Sequence, residues 1–132
     1  MINRNRWGNI DNPYQGSAKK VLCVCSAGLL RSPTAANVLH REFGYNTRSA
    51  GCVSEFALIP LDEVLIAWAD EIVCMEGSHV HAVQAMAQEV IGVDIAKLKI
   101  INLSIPDRYS WGDPELQKLI LKNYRSSNPK EG

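Results

Sequence analysis

A chain of 132 residues with 46% hydrophobic content has enough apolar material for one buried core without disulfide or metal support. Its 14 basic residues balance 14 acidic ones, so nothing global recommends nucleic acid as a partner, and any anion site must be local. No apolar stretch approaches the roughly 18 residues of a membrane span, and the polar segment 1–20 lacks the hydrophobic centre of a secretory signal, so no membrane contact and a cytoplasmic location are expected.

Residues 1–18 read as an N-terminal arm of unassigned role, 19–125 as one domain and 126–132 as a tail. Val21 to Val24 is short, apolar and β-branched at two positions, the pattern of a buried parallel strand, and it ends at Cys25. Beyond a loop, Ser32 reads as an N-cap and Pro33 as the first residue of a helix. Ala35, Val38, Leu39 and Phe43 form its stripe and Gly44 its stop. Asn46 to Ala50 suits a second strand. Pro60 is expected to open a second helix, with Leu61, Val64, Leu65 and Trp68 at helical spacing, before a third strand from Glu71 to Met75. Ser78 is expected to cap a third helix reaching Met86, whereas the periodicity of 87–97 is ambiguous. Leu98 to Leu103 reads as strand four. Asp113 then caps a last helix whose Leu116, Leu119 and Ile120 turn inward. This alternation predicts an α/β fold, a doubly wound four-stranded parallel sheet with helices on both faces. Ligands are expected at the carboxyl ends of the strands.

The chemistry concentrates where the first strand ends. Cys25 and Arg31 are separated by Ser26, Ala27, Gly28, Leu29 and Leu30, and Ser32 follows. The bare spacing arises by chance in roughly one such chain in five, so its context has to discriminate. Here the cysteine ends an apolar strand, small residues open the loop, and the arginine immediately precedes a helix. Loop amides converging above a helix N-terminus form a nest that binds phosphate and favours a thiolate. Gly28 can adopt the positive φ such a loop needs. Arg31 offers a planar fork of donors that matches two phosphate oxygens and keeps its charge. Residues 26–32 are therefore the candidate phosphate-binding loop. In a reducing compartment all four cysteines are expected as free thiols, Cys23 and Cys74 in the core and Cys52 with them. No metal site is expected, because His79 and His81 lie two apart, point to different helix faces and read as exposed.

The stretch from Val24 to Ala35 resembles the signature loop of the low-molecular-weight protein tyrosine phosphatases. Arg48 to Gly51 resembles that family's second strand, Ala69 to Glu76 its third, and Ile105 to Tyr109 the loop holding its acid. The likeness spans residues 20–122. It implies strand order 2-1-3-4, no cofactor, and a two-step hydrolysis in which Cys25 takes up the phosphoryl group and water then releases it. Asp107 would be the general acid, Tyr109 and Trp111 would wall a pocket for an aromatic ring, and Ser32 would assist the departing thiolate. The implied partner is a phosphotyrosine protein or a small aryl phosphate. Three departures from the pattern stand out. Ala27 and Gly28 replace a Gly-Asn pair, Leu30 replaces a second cysteine, and Arg108 replaces the proline after the aspartate. An Asp-Pro pair occurs instead at Asp113-Pro114, where the aspartate is also needed as a helix cap.

Three other readings compete. An arsenate reductase of the same fold relays oxidation through two closely spaced downstream cysteines, which Cys52 and Cys74 do not match. A cysteine phosphocarrier holds phosphate on a similarly placed thiol, but Arg31 in phase argues for hydrolysis. A module that captures phosphate without turnover is kept open by Ala27-Gly28, and an aryl phosphate assay separates it from an enzyme.

Overall fold

The structure is a computed structural model that describes residues 18–26, 31–53, 59–91, 98–106 and 108–127. Strand β1 (Lys20–Cys25) lies between β2 (Asn46–Gly51) and β3 (Glu71–Cys74), and β4 (Ile100–Asn102) pairs with the far edge of β3. All three pairings are parallel and the order is β2-β1-β3-β4, the doubly wound arrangement expected. Two helices, α1 (Arg31–Phe43) and α4 (Pro114–Ser127), cover one face. The other face is covered by α2 (Glu63–Trp68) and α3 (Gly77–Met86).

Because β1 is paired on both edges and covered on both faces, it has no side toward water. Val21, Cys23 and Cys25 enter the core under α1 and α4, and Leu22 and Val24 the core under α2 and α3. A strand in this position reads as an unbroken apolar run. The predicted stripe of α1 is buried at Ala35, Val38 and Leu39, and the helix stops at Gly44, whose φ of 72° lets its N–H return to His40 O at 2.9 Å.

Several boundaries differ from expectation, each for a local reason. Pro60 does not open α2; it forms an isolated parallel bridge with Gly51, and Asp62 is the N-cap, its carboxylate accepting from Leu65 N at 2.8 Å. Glu76, not Ser78, is the N-cap of α3. The ambiguous segment after α3 begins as a π-helical turn, Ala87–Ile91. Strand β4 keeps only Ile100–Asn102 of the predicted six residues, because beyond Asn102 the chain takes a left-handed turn at Ser104, with φ of 54°.

Ser104 N donates to Asn102 Oδ1 at 2.9 Å, which holds this turn in place. A left-handed conformation costs a non-glycine residue about 1 kcal/mol. Ser104→Gly removes that strain but adds unfolded-state entropy, so a net gain of about 0.5 kcal/mol is expected, read as a higher urea midpoint.

At the amino ends of the strands, buried Glu71 accepts from Tyr124 Oη at 2.8 Å and pairs with Lys19 and Lys99 at 2.9 and 2.8 Å. Burial and the neighbouring Tyr45 and Glu71 push the Tyr124 hydroxyl far above its ordinary pKa, so it remains a donor. Phe43, Tyr45 and Tyr124 pack together beside it, with centroids 5.3 to 6.3 Å apart. This polar and aromatic anchor ties α4 to the sheet. The opposite ends of the strands are thereby left for the loops.

Candidate active site

All four strands deliver a group to one edge of the sheet. Cys25 ends β1, Ala50 lies one residue from the end of β2, Glu76 stands two residues past β3, and Ile105 three past β4. The Cys25 side chain is almost wholly buried. Its thiol donates to Ser32 Oγ at 3.1 Å, and the serine hydroxyl lies 3.5 Å from Ala50 O. Ser32 is thus inside the first turn of α1 and faces sulfur, which corrects its expected role as the N-cap. The backbone after Cys25 is pinned by β2, since Cys52 N donates to Cys25 O and Val53 N to Ser26 O, both at 2.9 Å.

Arg31 is the first residue of α1 and is 1% exposed. A cation that deep requires partners. One nitrogen meets two of them: Nη1 donates to Glu76 Oε2 at 2.7 Å and to Ile105 O at 2.8 Å. The Glu76 side chain is 42% exposed, so solvent screens this pair and its value lies in orientation more than in stability. A planar guanidinium fixed at one corner has a fixed plane. Ser26 Oγ lies 3.0 Å from His79 Nε2.

Four of the expected site residues therefore converge: Cys25, Ser26, Arg31 and Ser32. Ala27, Gly28, Leu29, Leu30 and Asp107 lie outside the described residues. Tyr109 is buried in the same core cluster as Cys25, and Arg108 Nη2 donates to its hydroxyl at 3.4 Å. Trp111 is 57% exposed. It precedes Gly112, whose φ of 73° turns the chain so that its N–H donates to Thr34 Oγ1 at 2.9 Å, placing this loop against the first turn of α1.

Asp113 is occupied. Its carboxylate accepts from Glu115 N at 2.8 Å and its carbonyl from Gln117 N at 3.0 Å, the bonds of an N-cap for α4. Asp113→Ala is expected to cost about 1 kcal/mol of stability. Any kinetic effect should be small and equal for all esters, a comparison that needs only a thermal melt and two substrates.

Sequence reasoning missed two residues, Glu76 and His79. His79 is fully buried, which corrects its expected exposure, whereas His81 is exposed. The available signal was the spacing of an acidic residue and a histidine three apart after a buried strand, the geometry of a capping box. Their targets are 45 and 53 residues away in the chain, beyond the reach of any local pattern.

The other three cysteines are held as thiols by burial. It raises Cys23 well above its ordinary value, raises Cys74 to about 12, and raises half-buried Cys52 as well. Iodoacetate near neutral pH is therefore expected to modify Cys25 before these three, and inorganic phosphate to protect it. Equal labelling of all four contradicts the site. Among the described residues no helix is long and apolar enough to cross a membrane.

No known family model matches the chain, and no curated protein matches its sequence. Solved structures do match. Wzb of Vibrio vulnificus, in complex with benzylphosphonate, has a TM-score of 0.64 at 23% identity, over 86% of this chain and 99% of that one. A low-molecular-weight protein tyrosine phosphatase of Bacillus subtilis gives 0.53 at 21% identity, over 83% and 99%. The arginine phosphatase YwlE of Bacillus subtilis, in a mutant with a phosphorylated active-site serine, gives 0.53 at 20% identity, over 86% and 99%. With its strand order, its parallel pairing and the position of Cys25 at the end of β1, the chain has the α/β fold of the low-molecular-weight tyrosine phosphatases.

Proposed function

We propose that this protein is a cytoplasmic, metal-independent phosphomonoester hydrolase acting on phosphotyrosine-type aryl esters through a cysteinyl-phosphate. The observation that carries the reading is the pairing of the Cys25 sulfur with the buried Ser32 hydroxyl, beside an arginine held in one plane by Glu76 and the Ile105 carbonyl.

In the first step Cys25 Sγ, as thiolate, forms a bond to phosphorus while the ester P–O bond breaks. The electron pair leaves on the phenolic oxygen, and Asp107 supplies its proton. Arg31 supports the charge that spreads over the equatorial oxygens. In the second step Asp107 takes a proton from water, the water oxygen bonds to phosphorus, and the P–S bond breaks. The thiolate that departs finds the Ser32 O–H, which then donates to sulfur, the reverse of the bond made when the thiol is protonated. The Ile105 carbonyl that binds Arg31 lies two residues before Asp107, which supports the placement of the acid near the phosphate.

Exposed Trp111, next to the Gly112 amide that bonds Thr34 in the first turn of α1, supports an aryl over an alkyl ester, since an aromatic face in that loop can stack on a substrate ring. The benzylphosphonate held by Wzb of this fold supports the same preference. The test is phosphate release from phosphotyrosine, phosphoserine and phosphoarginine peptides in the presence of a chelator. Release from phosphotyrosine alone is expected. Preference for either of the others overturns the substrate assignment, and oxyanion binding without any release identifies a capture module instead.

A further inference from the structure

His79 uses its two ring nitrogens differently. Nδ1 accepts from Glu76 N at 3.0 Å, so that nitrogen carries no proton. The single N–H of the neutral ring is then at Nε2, and it points to Ser26 Oγ at 3.0 Å, which accepts. The same Nε2 stands 3.8 Å from Glu76 Oε2, too far for a hydrogen bond. That carboxylate oxygen is the one bonded to Arg31. A single turn at the start of α3 thus touches both ends of the loop, Ser26 just after Cys25 and Arg31 where α1 begins.

We propose that His79 is a positioning residue for the phosphate loop. By donating to Ser26 it fixes the chain as it leaves Cys25, and Glu76, three residues earlier, fixes Arg31. The turn from β3 into α3 therefore sets the distance between nucleophile and phosphate-binding arginine. Burial gives this latch weight, because a fully buried imidazole exchanges a hydrogen-bond partner for water only at a cost. The competing account is that His79 serves α3 alone, as the side chain that accepts from the N-cap amide.

Two substitutions separate these accounts. In His79→Asn the side-chain oxygen can occupy the place of Nδ1 and keep the Glu76 N–H bond, but nothing reaches Ser26. In His79→Gln the terminal amide can occupy the place of Nε2 and reach Ser26, while the cap is lost. The Asn variant is expected to lose about tenfold in kcat/KM for an aryl phosphate and as much in vanadate affinity, the scale on which small misplacements act. Both variants should lose some stability, read as a lower urea midpoint, so the kinetic comparison is made between the two. The Gln variant should recover most of the loss, and Ser26→Ala added to His79→Asn should cost nothing more, because the two residues form one interaction.

The inference rests on the phosphatase reading, so one readout is independent of it. Amide hydrogen exchange over the peptide from Cys25 to Ser32 should quicken in the Asn variant and return toward wild type in the Gln variant. If the wild type neither hydrolyses esters nor binds vanadate but exchange changes in this way, the proposed function fails and the latch stands. If exchange is unchanged in His79→Asn, or if the Gln variant is the more impaired of the two, His79 serves only its own helix.

Discussion

Cys25→Ser is expected to lower turnover by about 10⁴ or more while leaving phosphate and vanadate affinity within about threefold. The asymmetry follows from what each group does. Ser32 bonds the Cys25 sulfur, whereas Glu76 and the Ile105 carbonyl bond Arg31, and the bonds to Arg31 survive the substitution. A serine hydroxyl has almost the volume of the thiol, so the packing under α1 is preserved. It is not ionised near neutral pH, and the adjacent Ser32 is no base that could activate it. Binding measured by titration and turnover measured by phosphate release should therefore separate. Loss of both in equal measure indicates collapse of the site. Retention of more than about one per cent of activity removes Cys25 from the mechanism.

The second large effect belongs to the acid and depends on the leaving group. With Asp107→Asn, hydrolysis of phosphotyrosine or phenyl phosphate should fall by about 10²–10⁴, the usual worth of a positioned acid. Hydrolysis of a nitrophenyl ester should fall much less, because that phenolate departs without a proton. A cap has no such dependence, which is why Asp113, bonded to Glu115 N and Gln117 N, serves as the comparison. Steady-state rates for three esters of graded leaving-group pKa, measured on both variants, decide between them. A graded loss in Asp113→Ala with no loss in Asp107→Asn would move the acid to the start of α4 and leave the cysteine chemistry intact.

Much of this architecture was legible because it is written locally. The apolar run into Cys25 carries the information that β1 is covered on both faces, and the stripe from Ala35 to Phe43 closed by Gly44 carries that of α1. Where rules for helix ends competed, tertiary demands decided. Ser32-Pro33 looks like a cap followed by a first turn, yet the Ser32 hydroxyl is turned to Cys25 and the helix already includes Arg31, two residues before Pro33. Pro60 has the right chemistry to start a helix, but it lies against Gly51 at the end of β2, and Asp62 supplies the carboxylate that Leu65 N requires.

The site divides along the same line. Cys25 and Arg31 are six residues apart in one motif, so the pair can be singled out from the sequence without the fold. The groups that aim Arg31 come from the ends of β3 and β4, 45 and 74 residues away. The two-residue spacing of His79 and His81 puts them on different helix faces without saying which is covered, and only the sheet topology shows that the face of His79 meets the chain just after β1. An aromatic residue such as Tyr109 suits a pocket wall or a core equally by sequence, and its ring is buried among the residues under α1 and α4.

The most direct test of the account is to mix the protein with an aryl phosphate, quench in acid within one turnover, and map the phosphoryl group by peptide mass spectrometry. The cysteinyl-phosphate mechanism predicts an adduct on the peptide containing Cys25 that accumulates when the second step is slowed and is absent in Cys25→Ser. Hydrolysis at the normal rate with no adduct on Cys25, or an adduct on any other residue, contradicts it.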